Sequence, residues 1–507
     1  MARKPLSNVD TAWLRMEDPT NLMMITGVMV FGMPLAYDRL QAILEQRLLV
    51  FDRFRQRVVQ PVLPGARPYW EDDPKLDLRY HLQRATLPAP GDQASLQELA
   101  SLLASIQLDF SRPLWQVHLV EGYGEEGSAL ICRLHHCIGD GLALVHVLLS
   151  LTDTDPDAPW PLTQPTLRQV RSRTPFGGVF RRTRQALGAT QRVAGAALSE
   201  SLEVFKTPSR IMDIARLGVR GTEALARLLL LWPDPDTVFK GSLGVAKRAA
   251  WSDAIPLVEI KSIGRALGGT VNDVLLTAMT GSLRRYLEGR GELVEGLNFR
   301  AIVPVNLRPP ATEPDLGNRF GLFFLSLPVG IVEPEQRLRE LTRRMDARKD
   351  SLEAPVAFGI LNAIGMSPSQ IQDVVVTMFE LKGTAVMTNV IGPREELFLA
   401  GAPLKGLMFW VPQSGRLGIG VSILSYAGSV WMGVMTDAGL VPDPEAIIAG
   451  FQAEFDELLG LTRRPEEPPS PRERCRGATQ SGHRCGNYPL AGSAYCRVHQ
   501  GQAASAR

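Results

Sequence analysis

His135-His136-Cys137-Ile138-Gly139-Asp140-Gly141 separates two apolar runs of the chain. The run before it, residues 129–133, is short and contains no proline, which is typical of a buried strand. The run after it begins at Leu142 and fits a buried helix better than a second strand. Glycine permits a sharp turn where a side chain would obstruct the backbone, so the two glycines predict a tight strand–turn–helix unit. We expect the histidines at the end of this strand to project into a cleft.

The residue types in this stretch point to acid–base chemistry. Imidazole has an unperturbed pKa near neutral pH, so it can take up and return a proton. The stretch has no Gly-x-Ser-x-Gly elbow, and no cysteine has a papain-like or caspase-like setting. We therefore expect His136 to act as a base on the substrate's own nucleophile. His135 is expected to support it, and Asp140 to hold the turn by pairing with a cation such as Arg308.

A structural alternative exists for the same residues. A histidine pair can close a strand end inside the core, and Asp140 can be an ordinary N-cap of the following helix. For an isolated His-His pair this alternative is the better one, because short motifs often match by chance. The Asp-Gly pair at this spacing, together with the family resemblance given below, favours catalysis instead.

The composition is that of an ordinary globular protein. The 507 residues are 45% hydrophobic and 21% charged, which suits two or three domains with ample core. A net charge of +2 is too small to indicate a nucleic-acid binder. The sequence contains no run of eighteen apolar residues, so it predicts no membrane-spanning helix. The first residues do not resemble a secretion signal, so we expect a cytoplasmic protein. The five cysteines do not form a secreted disulfide framework.

A basic segment follows the first predicted α/β domain, which should end near residue 155. Residues 153–165 are rich in Asp and Pro and predict a linker. Residues 158–199 contain no acidic side chain but seven arginines, and 225–232 are strongly apolar. A basic amphipathic helix beside an apolar patch can lie on an anionic membrane surface. A solvated helix that bridges two domains is an equally good interpretation, so membrane or droplet contact stays open.

A second α/β domain is expected from residue 250. The pattern predicts helices over 258–267 and 271–287 and a strand over 297–305 that delivers Asn306 and Arg308. Asn272 and Asp273 fall in the first turn of the second helix, where they could simply be N-cap residues. The functional alternative is that the Asn272 amide points into the cleft and steadies the acceptor or a developing oxyanion.

The C-terminal segment differs from the rest. After a Pro-rich linker come Cys475, Cys485, Cys496 and His499, spaced as Cys-x9-Cys-x10-Cys-x2-His. Three thiolates and one imidazole can form a closed tetrahedral structural zinc site. We favour zinc over a disordered tail, because a segment of about forty residues has too little core to fold without metal.

The histidine motif resembles the HHxxxDG signature of acyl-CoA-dependent acyltransferases, which include chloramphenicol acetyltransferase and peptide-synthetase condensation domains. Further blocks, in the same order, are similar to those of the bacterial wax ester synthase/diacylglycerol acyltransferase family. These blocks are Leu6-Ser7 with Asp10 and Trp13-Leu14, Pro113-Leu114-Trp115, Val271-Asn272-Asp273-Val274, Pro304-Val305-Asn306-Leu307-Arg308 with Gly317-Asn318-Arg319, Thr388-Asn389-Val390-Ile391-Gly392-Pro393, and Ser425-Tyr426-Ala427-Gly428. They extend from residue 6 to about 460, and the cysteine-containing tail is not part of the pattern.

The resemblance implies an α/β fold with two chloramphenicol-acetyltransferase-like subdomains, an active-site tunnel between them and a small C-terminal zinc-type module. It implies four parts: an N-terminal acyltransferase subdomain (1–155), a basic helical linker or crossover (156–249), a C-terminal subdomain (250–462), and a linker with the zinc-type tail (463–507). Gly141 would leave room for the pantetheine arm of coenzyme A.

The resemblance also implies a function. The protein would be an acyl-CoA-dependent O-acyltransferase that esterifies diacylglycerol, a long-chain alcohol or both, with fatty acyl-CoA as substrate and no catalytic metal. The main alternative is a non-catalytic lipid-binding or scaffold protein on a membrane or lipid droplet. A condensation-like enzyme that uses a carrier-bound acyl group is a third possibility, and the lack of a carrier domain in the chain counts mildly against it. We expect a cytoplasmic location, with peripheral contact at the inner membrane or at lipid droplets still open.

Overall fold

Two β-sheets form the framework of the larger part of the chain. The computed structural model describes residues 3–61, 66–158, 228, 230–308, 316–348, 351–367, 369–413, 415–462, 482–483, 485 and 496–499. The chain divides into two compact units, Met1–Leu458 and Leu459–Arg507, and both sheets belong to the first.

The described elements alternate between strands and helices. The strands are β1 (Lys4–Pro5), β2 (Met24–Phe31), β3 (Gln56–Val59), β4 (Tyr69–Asp72), β5 (Leu82–Thr86), β6 (Trp115–Tyr123), β7 (Gly127–His135), β8 (Lys247–Trp251), β9 (Ile255–Pro256), β10 (Phe299–Asn306), β11 (Phe320–Leu327), β12 (Ala385–Ile391), β13 (Phe398–Leu399), β14 (Ala402–Trp410), β15 (Ile419–Tyr426) and β16 (Ser429–Asp437). The helices are α1 (Asn8–Arg15), α2 (Tyr37–Ile43, continued by a π-turn over Leu44–Leu48), α3 (Asp52–Arg55), α4 (Leu78–His81), α5 (Gln93–Ala104), α6 (Gly141–Leu151), α7 (Leu257–Leu267), α8 (Val271–Gly289), α9 (Pro334–Asp346), α10 (Glu353–Ile364), α11 (Ser369–Leu381) and α12 (Pro444–Thr462).

The first sheet places the histidine motif at the end of an interior strand. Its strand order is β13-β14-β2-β7-β6-β5. Strand β7 is antiparallel to both of its neighbours, and its last residue, His135, lies opposite Met24 of β2. Because β7 has a partner on each side, its end is fixed in position. The histidine motif therefore starts from a rigid point of the sheet.

Two strands of this sheet, β13 and β14, come from the distant C-terminal part of the chain. Strand β14 pairs antiparallel with β2, so that Trp410 lies opposite Thr26. The sequence analysis assigned residues 402–410 to the C-terminal subdomain, whereas the strand completes the N-terminal sheet. The subdomain boundaries themselves stay a prediction.

The second sheet has the strand order β11-β10-β12-β15-β16-β8, and β9 pairs with β16. Strand β12 runs parallel to β10 and to β15, whereas the remaining pairs are antiparallel. Strand β10 ends at Asn306, so it delivers this residue and the following Arg308 to one edge of the sheet. A separate small sheet contains β1, β4 and β3.

The local predictions around the motif are confirmed. The apolar run before the histidines is the centre of β7, and the run after them is α6. The helices predicted over 258–267 and 271–287 are α7 and α8, and the strand predicted over 297–305 is β10. These agreements follow from clear periodicity in each segment.

The prediction of a basic helical linker over 156–249 lies mostly outside the described residues. Its seven arginines, at positions 168, 171, 173, 181, 182, 184 and 192, all lie there, as do residues 225–227 and 229 of the apolar run. Among the helices of the described ranges, none has both the length and the apolar character needed to cross a membrane.

Candidate functional site

The motif forms the predicted strand–turn–helix unit, with one difference in the role of its glycines. Neither Gly139 nor Gly141 has a positive φ angle, so the turn does not depend on the left-handed conformations that glycine permits. Space matters instead at Gly139, where an added Cβ would approach the Ala143 Cβ to 3.2 Å. The turn therefore needs glycine at position 139 because of close packing, and not because of its backbone conformation.

His136 lies beside two aromatic rings at the wall of a cavity. Its imidazole stacks on Trp13, with ring centroids 4.3 Å apart and an interplanar angle of 15°, and Phe320 lies 5.7 Å away. The backbone N–H of His136 donates to the Met23 carbonyl oxygen at 2.7 Å. The backbone carbonyl oxygen of His136 accepts from the Asn318 side-chain amide, also at 2.7 Å. The residue is only 4% exposed, and its Nδ1 has no protein hydrogen-bond partner. The ring is therefore packed against Trp13 and Phe320, and its backbone is held by two hydrogen bonds.

Burial determines the protonation state of His136. Transfer of the imidazolium form out of water lowers the pKa of His136 to about 4, although the nearby Asp140 carboxylate favours the charged form. The side chain is therefore uncharged at neutral pH. An uncharged imidazole is in the state that can accept a proton.

The cavity beside His136 is large and mainly apolar. It encloses about 1490 Å³ of empty space, including its mouth. Its wall combines the motif with parts of α1, both sheets and the helices α10 and α11. The few polar side chains in the wall are His136, Asp140, Asn306, Glu380, Thr388 and Asn389. A large, mainly apolar cavity with an imidazole in its wall suits a lipid-like substrate whose reactive group is held at that imidazole.

Asp140 performs both structural tasks that the sequence suggested. Its Oδ1 accepts from the Ala143 N–H at 3.1 Å and so caps α6. Its Oδ2 accepts from the Arg319 N–H at 3.0 Å and forms an ion pair with Arg308, the cation that the sequence analysis named. The carboxylate therefore joins the motif to the chain at Arg308 and at Arg319.

His135 faces away from the cavity, into a separate hydrogen-bonded group. Its Nδ1 accepts from the Cys137 N–H at 3.1 Å, so the ring proton must be on Nε2, which lies 3.5 Å from Glu17 Oε2. Glu17 also accepts from the Met23 N–H at 2.5 Å. Because Met23 in turn binds the backbone of His136, these contacts support a positioning role for His135.

A buried network that the sequence analysis did not assign holds the backbone of the motif. Asp10 is fully buried and pairs with Arg53 at 3.0 Å, while its other oxygen accepts from the Asn318 amide at 2.8 Å. Arg53 donates to the carbonyl oxygens of Cys137 and Ile138. The Asp10 carboxylate gave no clear local signal of a buried pair, because half of the eight residues of α1 are polar. Nothing in the local sequence marks Arg53 as its partner.

Asn272 reaches the cavity only through another residue. The N-cap of α8 is Thr270, and Asp273 completes a reciprocal capping box with it, so Asn272 is free of that task. Its Oδ1 accepts from the Asn389 amide at 2.8 Å. Asn389 lines the cavity, whereas Asn272 is not among the described lining residues. The expectation that Asn272 points into the cleft therefore applies to Asn389 rather than to Asn272.

The C-terminal unit brings together three of the four predicted metal ligands. The sulfur atoms of Cys485 and Cys496 are 3.8 Å apart, and Cys496 Sγ lies 3.3 Å from His499 Nδ1. The three ligand atoms lie within 4.8 Å of one another, and all three residues are buried. Cys475 lies outside the described residues. Two thiols and an imidazole converging in this way fit the donor chemistry of a tetrahedral zinc site.

Comparison with known proteins supplies the family. The profile of the wax ester synthase/diacylglycerol acyltransferase catalytic domain matches residues 6–275, and that of the family's C-terminal domain matches residues 316–459. A provisionally named diacylglycerol O-acyltransferase of Mycobacterium tuberculosis is 28% identical over 472 residues, which cover 90% of each chain. A similarly named Mycobacterium bovis protein is 28% identical over 467 residues, which cover 90% of this chain and 96% of that protein.

Solved structures support the predicted fold. The wax ester synthase/diacylglycerol acyltransferase of Marinobacter aquaeolei matches with a TM-score of 0.64 at 21% identity, and the match covers 90% of this chain and all of that one. The first condensation domain of the calcium-dependent antibiotic synthetase matches with a TM-score of 0.55 at 15% identity, over 92% and 98% of the two chains. These similarities confirm the two-subdomain α/β architecture. Taken with the matched profiles, they show that the chain belongs to the wax ester synthase/diacylglycerol acyltransferase family.

Proposed function

We propose that the protein transfers a fatty acyl group from coenzyme A to the hydroxyl group of a diacylglycerol or a long-chain alcohol. Family membership supports acyl-CoA-dependent O-acyl transfer and does not favour a purely lipid-binding scaffold. The observation that carries the proposal is the uncharged imidazole of His136 in the wall of a large apolar cavity. Such a cavity accommodates alkyl chains, and such an imidazole accepts a hydroxyl proton.

The proposed reaction has two steps. His136 takes the proton of the acceptor hydroxyl as the oxygen attacks the thioester carbonyl carbon. The tetrahedral intermediate then collapses, so that the C–S bond breaks, the ester C–O bond is complete, and the proton passes from His136 to the coenzyme A thiolate. Base catalysis of this kind contributes about 10²–10⁴-fold in rate, and alignment of the two substrates in one cavity contributes much of the rest.

Other residues have supporting roles in this proposal. Asp140 holds the turn through its cap and its ion pair with Arg308, and His135 positions the backbone of His136. The sequence analysis expected an amide in the cleft that steadies the acceptor. Asn389 takes this role in the proposal, because it lines the cavity and is held by Asn272. Gly141 also lines the cavity, in accord with an approach of the pantetheine arm.

The test offers palmitoyl-CoA with either diolein or hexadecanol, follows release of free thiol, and identifies the ester by lipid chromatography. The wild type should release thiol and form triacylglycerol, wax ester or both. His136→Ala should abolish both signals. His118→Gln is the matched control, because His118 is also a buried histidine with its pKa lowered to about 4, but it lines no part of the cavity. Absence of thiol release with every acceptor, or near-normal activity of His136→Ala, would contradict the proposal.

We further propose that the C-terminal unit binds a structural zinc ion through Cys485, Cys496 and His499, with Cys475 as fourth ligand. The convergence of the three described ligand atoms supports this proposal. Elemental analysis of the purified full-length chain should give about one zinc per chain, and Cys496→Ser should lower this content. His483→Ala, an exposed histidine of the same tail, should not. A zinc-free wild-type protein purified without chelators would refute the site.

Cytoplasmic location with peripheral contact to a membrane or droplet surface also stays a proposal, as do the four domain boundaries. Two exposed apolar side chains favour surface contact: Leu230 is 76% exposed and Trp232 is 83% exposed. Co-sedimentation with anionic vesicles should be weaker for Trp232→Ala than for the wild type. Equal binding of both proteins would contradict the proposed contact.

A further inference from the structure

A second apolar cavity lies against one face of the first sheet. It contains about 1070 Å³ of empty space, including space open to solvent, between this face and the helices α2 and α6. Side chains normally fill the space between a sheet and the helices that cover it, so an apolar cleft at this place is unusual. An opening that stays apolar on every side suits an apolar ligand.

A row of residues across four strands forms the sheet side of this second cavity. Phe409 pairs with Gly27, Gly27 with Cys132, and Cys132 with Val117, and all four residues line the cavity. Gly27 and Cys132 are only partly buried, although β2 and β7 are interior strands. The centre of the sheet is therefore accessible from the cavity.

The glycine in this row has no other structural explanation. Glycine weakens the interior of a strand and often marks a place where a ligand approaches closely. Gly27 does not have a positive φ angle, and an added Cβ would lie 3.6 Å from its nearest neighbour, the Met408 carbonyl oxygen. Neither the backbone conformation nor packing against neighbours excludes a side chain. The space that a longer side chain would fill is the cavity itself.

The second cavity is chemically suited to an alkyl chain rather than a polar group. Gln116 and Arg133 are the polar residues among its described lining. The Arg133 guanidinium donates to Gln116 Oε1 at 3.1 Å and also to the Ile106 carbonyl oxygen. As the neighbour of Cys132 in β7, Arg133 points to the other face of the sheet. The rest of the cavity lining is apolar and matches an unbranched hydrocarbon chain.

The two cavities meet beside the catalytic motif. Gly141, Val390 and Phe409 line both of them. Gly141 is the first residue of α6 and follows Asp140, whose side chain lines the first cavity together with His136. A chain bound in the second cavity would therefore end close to the reacting atoms.

We propose that the second cavity holds one long alkyl chain of the reacting lipids and that Gly27 and Cys132 set the length of chain it accepts. This inference rests on the proposed acyl transfer. The chain belongs either to the acyl donor or to the acceptor, and the two sources share the same unbranched hydrocarbon chemistry.

The test measures chain-length preference in full-length variants. In one arm the donor is palmitoyl-CoA or hexanoyl-CoA with hexadecanol as fixed acceptor. In the other arm the acceptor is hexadecanol or hexanol with palmitoyl-CoA as fixed donor. Gly27→Val and Cys132→Leu should each lower the long-to-short ratio of kcat/KM by about tenfold in one arm, because pockets discriminate about 10–200-fold per misplaced methylene. Gly27→Ala should have a smaller effect in the same direction.

A matched control separates this effect from damage to the fold. Thr26→Val changes the neighbouring residue of the same strand, whose side chain points to the opposite face, and should leave the ratio unchanged in both arms. The arm that responds identifies the source of the chain. Unchanged ratios in both arms for Gly27→Val and Cys132→Leu, in variants with wild-type thermal unfolding, would overturn the inference.

Failure of the proposed function gives a different result. In that case the wild type transfers no acyl group from any donor, and the cavity is tested by titration with cis-parinaric acid, a fluorescent unbranched fatty acid. Binding that Gly27→Val weakens about tenfold would support an alkyl-chain site without turnover. Binding equal to that of the wild type would refute the site as well.

Discussion

Acidification should destabilise the protein through His136, and replacement of His136 by Gln should remove that part of the acid sensitivity. Burial beside Trp13 and Phe320 lowers the pKa of His136 from 6.5 to about 4. Below about pH 6.5 the unfolded chain binds a proton at this residue, whereas the native protein does not until the pH falls to about 4. The free energy of unfolding should therefore fall as the pH decreases across this interval. It should stop falling, as far as His136 is concerned, below about pH 4.

The size of the effect follows from the pKa difference. A difference of one pKa unit corresponds to about 1.4 kcal/mol. A shift from 6.5 to about 4 therefore corresponds to about 3 kcal/mol between neutral pH and the acid limit. This is a large part of the stability of a typical domain, which is about 5–15 kcal/mol. His118 should contribute a similar loss independently, because burial also lowers its pKa to about 4.

The assay is urea denaturation of the wild type, His136→Gln and His118→Gln at several values between about pH 7 and pH 4. Each variant should lose less stability on acidification than the wild type, and the difference should approach about 3 kcal/mol. Only His136→Gln should also lose acyl transfer. In the wild type, kcat/KM should stay constant down to about pH 5 and then fall with an apparent pKa near 4, because only the uncharged imidazole can accept the proton. A rate that falls near pH 6.5, together with an unchanged pH dependence of unfolding in His136→Gln, would refute the account of a buried, uncharged base.

Three further substitutions test the contacts that hold the site. Asp140→Ala removes the cap of α6 and leaves the Arg308 guanidinium without its main charge partner. The free energy of unfolding should therefore fall by about 3–5 kcal/mol, and the rate of acyl transfer should fall with it. A fully stable but inactive variant would instead assign Asp140 a direct chemical role. Arg53→Met leaves the buried carboxylate of Asp10 unpaired and should cost about 3–5 kcal/mol in chemical denaturation, and a loss below about 1 kcal/mol would contradict the pairing. Asn272→Ala releases Asn389 and should cost only about 1 kcal/mol while it raises KM for the acceptor; an unchanged KM would show that Asn389 needs no support.

Much of the site could be predicted from the sequence because its signals are local. Periodicity predicted the strand that ends at His135 and the helix that follows Asp140, and both are confirmed. The basic residue proposed as partner of Asp140, Arg308, is its ion-pair partner, although 168 residues separate them. That prediction depended on the order of the sequence blocks, because no local pattern links the two positions.

The parts that escaped prediction are long-range contacts. The run over residues 402–410 has the apolar pattern of a strand in any sheet, and only the fold shows that it pairs with β2. Asn272 and Asn389 are both plausible amides, and the hydrogen bond between them decides which one lines the cavity. Arg53 has no local signal at all, because an arginine beside a short helix is ordinarily a surface residue.

The sequence by itself determined the histidine motif, the alternation of strands and helices, the family, and the cysteine and histidine pattern of the tail. These properties depend on residue identity and on spacing over a few residues. Only the tertiary structure decided the protonation state of His136, the pairing of Asp10 with Arg53 and the existence of two apolar cavities that meet at Gly141. The physical reason is that burial, charge pairing and unfilled space are properties of groups brought together from distant parts of the chain, and local sequence does not record which groups those are.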